Sequence, residues 1–361
     1  MKTRVNRAFL PPFEEYCNEI KDLWDSHFIT NMGQKHESLR TALEAYLQVP
    51  HVTLFSHGHS ALESALRVFN FPEGSQVITT PFTFVSTTHA IQRTGLTPVF
   101  CDVLPSDGTL DPAKAEELIT EKTVAILPVH VYGNVCDIAS IEKLAAKYGL
   151  KVIYDAAHAF GVNYRGVPVV NYGDASVLSF HATKIFSTIE GGAVCYKDDS
   201  LKQLLDDDKN FGIRDTETTV SAGGNAKMNE FQAAMGLCNL RYIDRQIEER
   251  SRLASMYRQL LPDYLEFFEK RKDSTDNFAY MPVLFPNQKM RDKATLLLSQ
   301  KGIETRKYFF PLTSSVSCYS HLQQNTSVAK DLSERVLCLP LYNGLQDSVV
   351  ELICKTLQGM K

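Results

Sequence analysis

The sequence predicts an α/β fold, with a large domain in which helices flank a mainly parallel sheet and a smaller C-terminal α/β domain. Between residues 76 and 154, short apolar segments typical of buried strands alternate with amphipathic segments typical of helices. The chain has 361 residues, of which 44% are hydrophobic, so it is long enough to bury two cores. We place the domains at residues 1–244 and 245–361.

The elements of the large domain can be assigned in chain order from their periodicity. Two helices joined by a glycine-containing turn are expected between Glu14 and Leu47. A strand at 52–55 follows. The alternating strands and helices then occupy residues 76–79, 86–94, 98–101, 112–119, 124–128, 139–148 and 152–154.

The rest of the chain leads into the smaller domain. Residues 206–209 are mostly aspartate and are expected to form a solvated charged turn. Helices are expected at 231–240 and 242–260. The smaller domain should contain strands near 280–284 and 336–340 and a helix near 293–300.

A small polar turn, Ser56-His57-Gly58-His59-Ser60, joins the strand at 52–55 to a helix expected at 61–69. This arrangement points free backbone N–H groups at an anion, and the helix dipole strengthens the attraction. The segment therefore indicates a phosphate site. An ordinary loop with a serine N-cap fits it equally well.

Asp155 follows the apolar segment 151–154, at the predicted carboxyl end of a strand. Ligands gather at these strand ends in parallel sheets. The carboxylate is therefore either the N-cap of a following helix or the partner of a bound cationic group.

Lys184 lies in the stretch 179–192, between two short apolar segments that predict buried strands. Desolvation in such a loop would lower the pKa of its amine and leave a fraction of it unprotonated, the form that makes a Schiff base. The alternative is an exposed loop lysine, which composition alone favours.

Composition excludes several classes of function. The net charge is −4 and there is no long Lys/Arg run, so neither nucleic acid nor an anionic membrane surface is an expected partner. No apolar stretch is long enough for a bilayer span. The basic N-terminus lacks a following apolar region, which favours a cytoplasmic protein. The eight cysteines form no CxxC pair, so neither a disulfide framework nor a zinc site is indicated.

Seven motifs occur together and in a fixed order, and together they are far more specific than any one of them. They are the segments 57–62 (HGHSAL), 80–85 (TPFTFV), 128–133 (PVHVYG), 154–161 (YDAAHAFG), 179–192, 224–228 (GNAKM) and 305–312 (TRKYFFPL). In these motifs the chain resembles the sugar aminotransferases of the DegT/DnrJ/EryC1/StrS family. The resemblance covers nearly the whole chain and implies a seven-stranded-type sheet, a pyridoxal 5′-phosphate cofactor and a homodimer with shared active sites.

The resemblance also implies roles for individual residues. Lys184 would bind the cofactor as a Schiff base and move the proton, and Asp155 would pair with the pyridine nitrogen. His158 would lie near the ring hydroxyl, and Phe84 would stack on the ring. The cofactor phosphate would be bound by the residues Gly58, His59, Ser179 and, from the partner subunit, Asn225.

On the substrate side, the resemblance implies His181, Glu190 and Tyr308 as contacts of the sugar. For His181 and Glu190, a role in stabilising the turn is an equal alternative. The expected reaction moves an amino group from L-glutamate, through the pyridoxamine form, to a nucleotide-linked 4-keto-6-deoxy sugar. The same chemistry at carbon 3 of the sugar is the alternative.

Two residues depart from the family pattern. His59 stands where threonine is common, so a hydroxyl contact to the phosphate is lost and the contact would depend on backbone groups or on Ser60. Lys227 replaces a frequent arginine, which removes a bidentate donor. Lys184 itself is present, which argues against the family branch where histidine replaces it and the enzyme dehydrates.

Two hypotheses from other classes remain open on the sequence. A non-catalytic regulator could retain the fold, although Lys184 and Asp155 argue against it. Alternatively, four histidines could form a metal site, namely His57, His59, His130 and His181.

Overall fold

A seven-stranded sheet forms the centre of the computed structural model, which describes residues 2–322 and 324–360. Its strands lie in the order β1-β9-β8-β5-β4-β2-β3. They are β1 (His51–Phe55), β2 (Gln76–Thr79), β3 (Thr97–Phe100), β4 (Thr123–Leu127), β5 (Lys151–Asp155), β8 (Ala175–Ser179) and β9 (Gly192–Tyr196). Only the two pairs that β9 makes are antiparallel, so the predicted mainly parallel sheet is confirmed.

Helices cover both faces of the sheet, as predicted. Successive residues of β4 and β5 belong alternately to two apolar cores, for example Val152 to one and Ile153 to the other. The helices of this part of the chain are α1 (Phe13–Ile20), α2 (Leu23–Ser26), α3 (Gln34–Leu47), α4 (Gly58–Arg67), α5 (Val85–Arg93), α6 (Pro112–Glu117), α7 (Ile138–Tyr148), α8 (Ser200–Lys209) and α9 (Glu230–Leu240). A small hairpin joins β6 (Asn163–Tyr164) to β7 (Val167–Pro168).

The C-terminal part has its own sheet and core. Strands β10 (Met281–Leu284) and β11 (Val336–Leu339) pair antiparallel. They are packed by α10 (Ile243–Leu260), α11 (Gln288–Gln300), α12 (Ser327–Arg335) and α13 (Asp347–Gln358). The apolar core of this part begins at Leu253, inside α10. The domain boundary at residue 244 stays a prediction.

The charged segment 206–209 is not the solvated turn that we expected. It forms the last turn of α8, where Asp207 and Lys209 are buried. The Lys209 ammonium lies 2.7 Å from the Asp206 carboxylate, and Arg214 donates to Asp207 at 2.8 Å. Pairing of opposite charges allows these groups to be buried, which a pattern of charges alone does not reveal.

No helix within residues 2–322 and 324–360 combines the length and hydropathy that a bilayer span requires.

Arg250 of α10 holds the segment that carries Tyr280 towards the sheet. Its buried guanidinium donates to the carbonyl oxygens of Leu341 at 3.0 Å and Ala279 at 3.3 Å, and its Nε donates to Asn343 at 3.2 Å. Replacing Arg250 would leave these acceptors buried without a donor.

We therefore expect Arg250→Met to lower the free energy of unfolding by about 2–4 kcal/mol. Urea denaturation followed by circular dichroism measures this change. Arg252→Met is the matched control, since Arg252 is half-exposed and pairs with Asp347 at 2.8 Å on the surface of the same helix. That change should cost at most about 0.5 kcal/mol. Equal losses in the two variants would contradict the role given to Arg250.

Candidate active site

The carboxyl ends of the parallel strands open into one pocket of about 390 Å³. Five of the strands that end at this edge contribute residues at or just beyond their carboxyl ends, in agreement with the expected location of ligands in parallel sheets. These residues are His57 and Gly58 after β1, Thr83 and Phe84 after β2, Val129 after β4, Asp155 and His158 at the end of β5, and Ser179 at the end of β8.

Asp155 is buried at the floor of the pocket. Its carboxylate accepts hydrogen bonds from the Thr87 hydroxyl at 2.8 Å and from the backbone N–H of Ala157 at 3.1 Å. Burial raises the pKa of Asp155, while these two hydrogen bonds and the charge of Lys184 oppose that rise. Turns rather than a helix follow the strand, so the helix N-cap alternative for Asp155 is wrong.

Thr87 is a residue that sequence reasoning missed. It lies in the first turn of α5, where its hydroxyl also bonds that of Thr83 at 2.9 Å. The chain Thr83-Thr87-Asp155 thus fixes the orientation of the carboxylate. Thr83 precedes the helix, so the available signal was only two threonines four residues apart at the start of α5.

Lys184 lies in the turn between β8 and β9, where its backbone N–H donates to the His181 carbonyl at 2.8 Å. Its side chain is half-buried in the pocket wall, and Nζ lies 3.5 Å from the Tyr280 hydroxyl. Burial lowers the pKa of Lys184 to about 8, although the negative charge of Asp155 favours the ammonium. The alternative of an exposed loop lysine is therefore wrong.

Aromatic residues from distant parts of the chain close the pocket beside Lys184. His158 is buried, packs against Tyr280 with ring centroids 4.6 Å apart and is parallel to the Phe309 ring. Burial, with the charge of Lys184, holds its pKa well below the usual value. Its Nδ1 accepts from the Tyr132 N–H at 3.0 Å, so the neutral ring carries its proton on Nε2 and can donate it to a ligand.

Gly58 and Ser179 meet at the opposite end of the pocket. A Cβ added at Gly58 would lie 2.8 Å from the Ser179 Cβ, so only glycine allows this approach. The helix α4 begins here at Gly58, three residues earlier than predicted, and its first backbone N–H groups have no intrahelical partner. The residue before the helix is His57, so the serine N-cap that we considered is wrong.

The other expected cofactor residues occupy different positions. Phe84 lines the pocket and is 58% exposed, so its ring is accessible to a ligand. The described wall of the pocket does not include Ser60, which lies in α4, or Asn225, which is exposed and accepts from Lys227 at 2.9 Å. Roles for Ser60 and Asn225 at the cofactor phosphate stay predictions.

At the mouth of the pocket, two histidines flank one carboxylate. Glu190 lies 3.2 Å from His57 and 3.5 Å from His181, and the His181 ring also contacts the Thr183 hydroxyl at 2.8 Å. Tyr308 lines the same pocket. The structure thus brings together His181, Glu190 and Tyr308, and the turn contacts of His181 show that the structural role considered for it also has a basis.

His130 lies away from the other three histidines of the metal hypothesis. It is buried and stacks on Tyr154 at 4.7 Å, and its Nδ1 accepts from the Cys136 N–H. Among residues 2–322 and 324–360, no group of three or more His, Cys, Asp or Glu side chains is placed to hold a metal ion.

Comparison with known proteins agrees with this geometry. A sequence profile of the DegT/DnrJ/EryC1/StrS aminotransferase family matches residues 13–358. The chain is 39% identical to the dTDP-4-amino-4,6-dideoxy-D-glucose transaminase of Shigella dysenteriae, over 99% of this chain and 98% of that protein. It is 32% identical to the GDP-perosamine synthase of Escherichia coli O157:H7, over 95% of this chain and 94% of that protein. The crystal structure of DesI in the presence of its TDP-sugar product matches with a TM-score of 0.94 at 29% identity, covering 99% of this chain and 92% of that one.

The pKa of Lys184 can be tested in the cofactor-free protein by reductive methylation. About half of its amine is unprotonated at pH 8, whereas an ordinary lysine is less than about 1% unprotonated there. We expect the methylation rate of the Lys184 peptide, measured by mass spectrometry, to rise with pH and level off above about 8.

Asp155→Asn is the matched variant, because it removes the negative charge that favours the ammonium. Its Lys184 should reach the plateau at a lower pH than that of the parent. A plateau near 10.4 in the parent, the value of an ordinary lysine, would show that the amine is exposed to water.

Proposed function

Because the chain belongs to the DegT/DnrJ/EryC1/StrS aminotransferase family, we propose that it converts dTDP-4-dehydro-6-deoxy-D-glucose to dTDP-4-amino-4,6-dideoxy-D-glucose with L-glutamate as amino donor. The family membership makes it a pyridoxal phosphate-dependent aminotransferase that acts on nucleotide-linked sugars. The observation that carries the proposal is the pocket that places a half-buried amine, Lys184, near a buried carboxylate, Asp155.

The residues of the pocket fit pyridoxal 5′-phosphate. Lys184 offers an amine for its aldehyde, and Asp155 offers a carboxylate for its pyridine nitrogen. Gly58 and Ser179 form a cup of backbone N–H and hydroxyl donors for its phosphate, and Phe84 offers an accessible ring. When bound, this group supplies an electron sink for the bonds at the amino-bearing carbon.

Lys184 is suited to move the proton in each half-reaction. Its pKa of about 8 means that the amine can accept and release a proton near neutral pH. The Tyr280 hydroxyl, 3.5 Å from Nζ, limits the directions in which the amine points. Burial raises the pKa of Tyr280, so this hydroxyl stays neutral and can both donate and accept.

His158 and Asp155 fix the protonation of a bound ring from two sides. The neutral His158 presents its Nε2–H, which suits a ring hydroxyl or phenolate oxygen. The Asp155 carboxylate, oriented by Thr87, suits a protonated nitrogen. Both groups are buried, so water does not compete for either contact.

The mouth of the pocket supports a polar, sugar-sized substrate. Glu190 with its two histidine partners can accept from and donate to sugar hydroxyl groups, and Tyr308 adds a further hydroxyl. The thymidine nucleotide is supported by the dTDP-linked sugar of the 39% identical Shigella dysenteriae transaminase and by the TDP-sugar product present with DesI.

A homodimer with shared active sites is also part of the proposal. Asn225 lies outside the pocket wall of its own chain, and the segment around it exposes the apolar side chains of Phe211, Ile213 and Val220. Such an exposed apolar segment suits burial against a second copy, which would bring Asn225 to the partner's cofactor phosphate.

The substrate assignment is tested by incubating the purified enzyme with L-glutamate, or other amino acids, and a panel of nucleotide-linked keto sugars. We expect NMR to place the new amino group at carbon 4 of the dTDP-linked 6-deoxy sugar. Lys184→Ala should abolish turnover with an unchanged circular dichroism spectrum. An amino group at carbon 3 would favour the alternative regiochemistry, and turnover by Lys184→Ala at the parent rate would overturn the mechanism.

The role of Asp155 is tested by Asp155→Asn, which keeps the size of the side chain. Its amide oxygen can still accept from the Ala157 N–H, while its NH2 group donates to the Thr87 oxygen. The neutral amide cannot favour a protonated ring nitrogen, so we expect kcat to fall by about 10²-fold or more. Absorbance spectra should still show bound cofactor. Asp347→Asn, the same change at a half-exposed carboxylate that pairs with Arg252 outside the pocket wall, is the control and should retain most activity. A parent-like kcat in Asp155→Asn would remove the carboxylate from the mechanism.

A further inference from the structure

His59 has a polar partner on each of its ring nitrogens. Nδ1 lies 2.9 Å from the Ser86 hydroxyl, and Nε2 lies 3.2 Å from the Glu63 carboxylate, one helical turn further along α4. The ring is 37% exposed and lines the pocket beside Gly58. The imidazole is thus held in one orientation at the phosphate end of the site.

Glu63 is fixed as an anion by its neighbours. It is buried, and besides His59 it contacts Arg93 and, at 2.6 Å, Arg67. Burial alone would raise its pKa, but the hydrogen bonds from His59 and Arg93, with the charge of Arg67, lower it to about 2. A carboxylate acceptor at Nε2 requires that this nitrogen carry a proton.

The hydrogen bond between Nδ1 and Ser86 can therefore exist in two forms. In the neutral imidazole, Nδ1 has no proton and the Ser86 hydroxyl must donate to it. In the imidazolium, Nδ1–H donates to the Ser86 oxygen. The Ser86 proton is then free to point into the pocket, which Ser86 also lines. The charge of His59 thus decides what Ser86 offers to a ligand.

We propose that His59 is a phosphate-binding residue of this enzyme, whose protonated ring supplies positive charge and turns the Ser86 hydroxyl towards the cofactor phosphate. This inference depends on the proposed function, because it needs a phosphate dianion in the cup formed by Gly58 and Ser179. Where threonine is common in the family and would offer a hydroxyl, this chain has an imidazole that can gain or lose a proton and is held by Glu63.

The other charged groups around His59 determine the balance between its two forms. On α5, Arg93 shares the Glu63 carboxylate with His59, and His89 is close enough to be affected by the charges of both. Burial lowers the pKa of His89, and the charges of His59 and Arg93 lower it further, so it stays neutral. From α8, Asp208 lies 3.0 Å from the second guanidinium nitrogen of Arg67.

At the mouth of the pocket, His57 is engaged with Glu190, whose carboxylate it approaches to 3.2 Å. Within the described residues, Glu63 is the only carboxylate in contact with the His59 ring. A phosphate dianion would be a second negative partner for that ring and would favour the imidazolium. Binding of the phosphate should therefore be accompanied by uptake of a proton.

The test uses pyridoxamine 5′-phosphate, which binds without a bond to Lys184. Titration calorimetry of the cofactor-free protein in buffers of different ionisation enthalpy gives both the affinity and the number of protons taken up. The comparison variant is His59→Thr, which restores the hydroxyl common in the family. At pH 7.5 we expect the parent to bind as much as about one proton more than this variant when pyridoxamine 5′-phosphate binds. As the pH rises from 7 to 8.5, the parent's affinity should fall relative to the variant's by up to about tenfold per pH unit.

Ser86→Ala tests the inference without changing the histidine. At pH 6.5, where the Ser86 hydroxyl of the parent would donate to the phosphate, the variant should bind pyridoxamine 5′-phosphate more weakly than the parent. At pH 8.5 the two affinities should be closer. His51→Asn is the control, since His51 also contacts a carboxylate, that of Asp199, but lies outside the pocket wall. It should behave as the parent does.

Equal proton uptake and equal pH slopes in the parent and His59→Thr would overturn the role of His59, while leaving the aminotransferase function intact. An absence of pyridoxamine 5′-phosphate binding in the parent would instead overturn the proposed function. If His59→Thr still binds pyridoxamine 5′-phosphate but its affinity no longer falls as the parent's does between pH 7 and 8.5, the result supports the inference directly.

Discussion

The buried carboxylate of Asp155 is the constraint on which the site depends. An ionised carboxylate removed from water costs several kcal/mol unless hydrogen bonds and a cation compensate for it. Thr87 and Ala157 provide the hydrogen bonds. The nearby Lys184 amine provides positive charge but loses its proton more readily than an ordinary lysine, because burial lowers its pKa to about 8. The pocket is therefore prepared for a further cation, which a protonated pyridine nitrogen would supply.

This balance of charge depends on both parts of the chain. The sheet supplies Asp155 and Lys184, but the C-terminal part supplies Tyr280, whose hydroxyl contacts the amine. The N-terminal segment adds a third contribution, since the Asn6 amide donates to the Thr183 carbonyl beside Lys184. The environment of the reactive amine is thus created when these parts pack together, and the Lys184 turn alone does not define it.

Local patterns were sufficient to predict the sheet and the positions of Lys184 and Asp155. Alternating short strands and helices specify a parallel sheet, and polar residues at the strand ends must then meet at one edge. The pattern does not reveal contacts between distant segments. Tyr280 looked like the start of a strand, and Thr87 looked like an ordinary helical residue. The buried Lys209 looked exposed, because only its contact with Asp206 permits burial.

The two ends of the pocket use charge in different ways. At the ring end, burial keeps His158 and Tyr280 uncharged near neutral pH, whereas the rise that burial causes in the pKa of Asp155 is opposed by its hydrogen bonds and by the charge of Lys184. At the phosphate end, the His59 ring is 37% exposed and lies between the Glu63 carboxylate and the Ser86 hydroxyl. Lys184 at the ring end also responds to pH, since its pKa is about 8, whereas the response proposed for the phosphate end comes from His59. A threonine at position 59 would offer a hydroxyl that does not titrate, so this response is specific to a histidine held by Glu63.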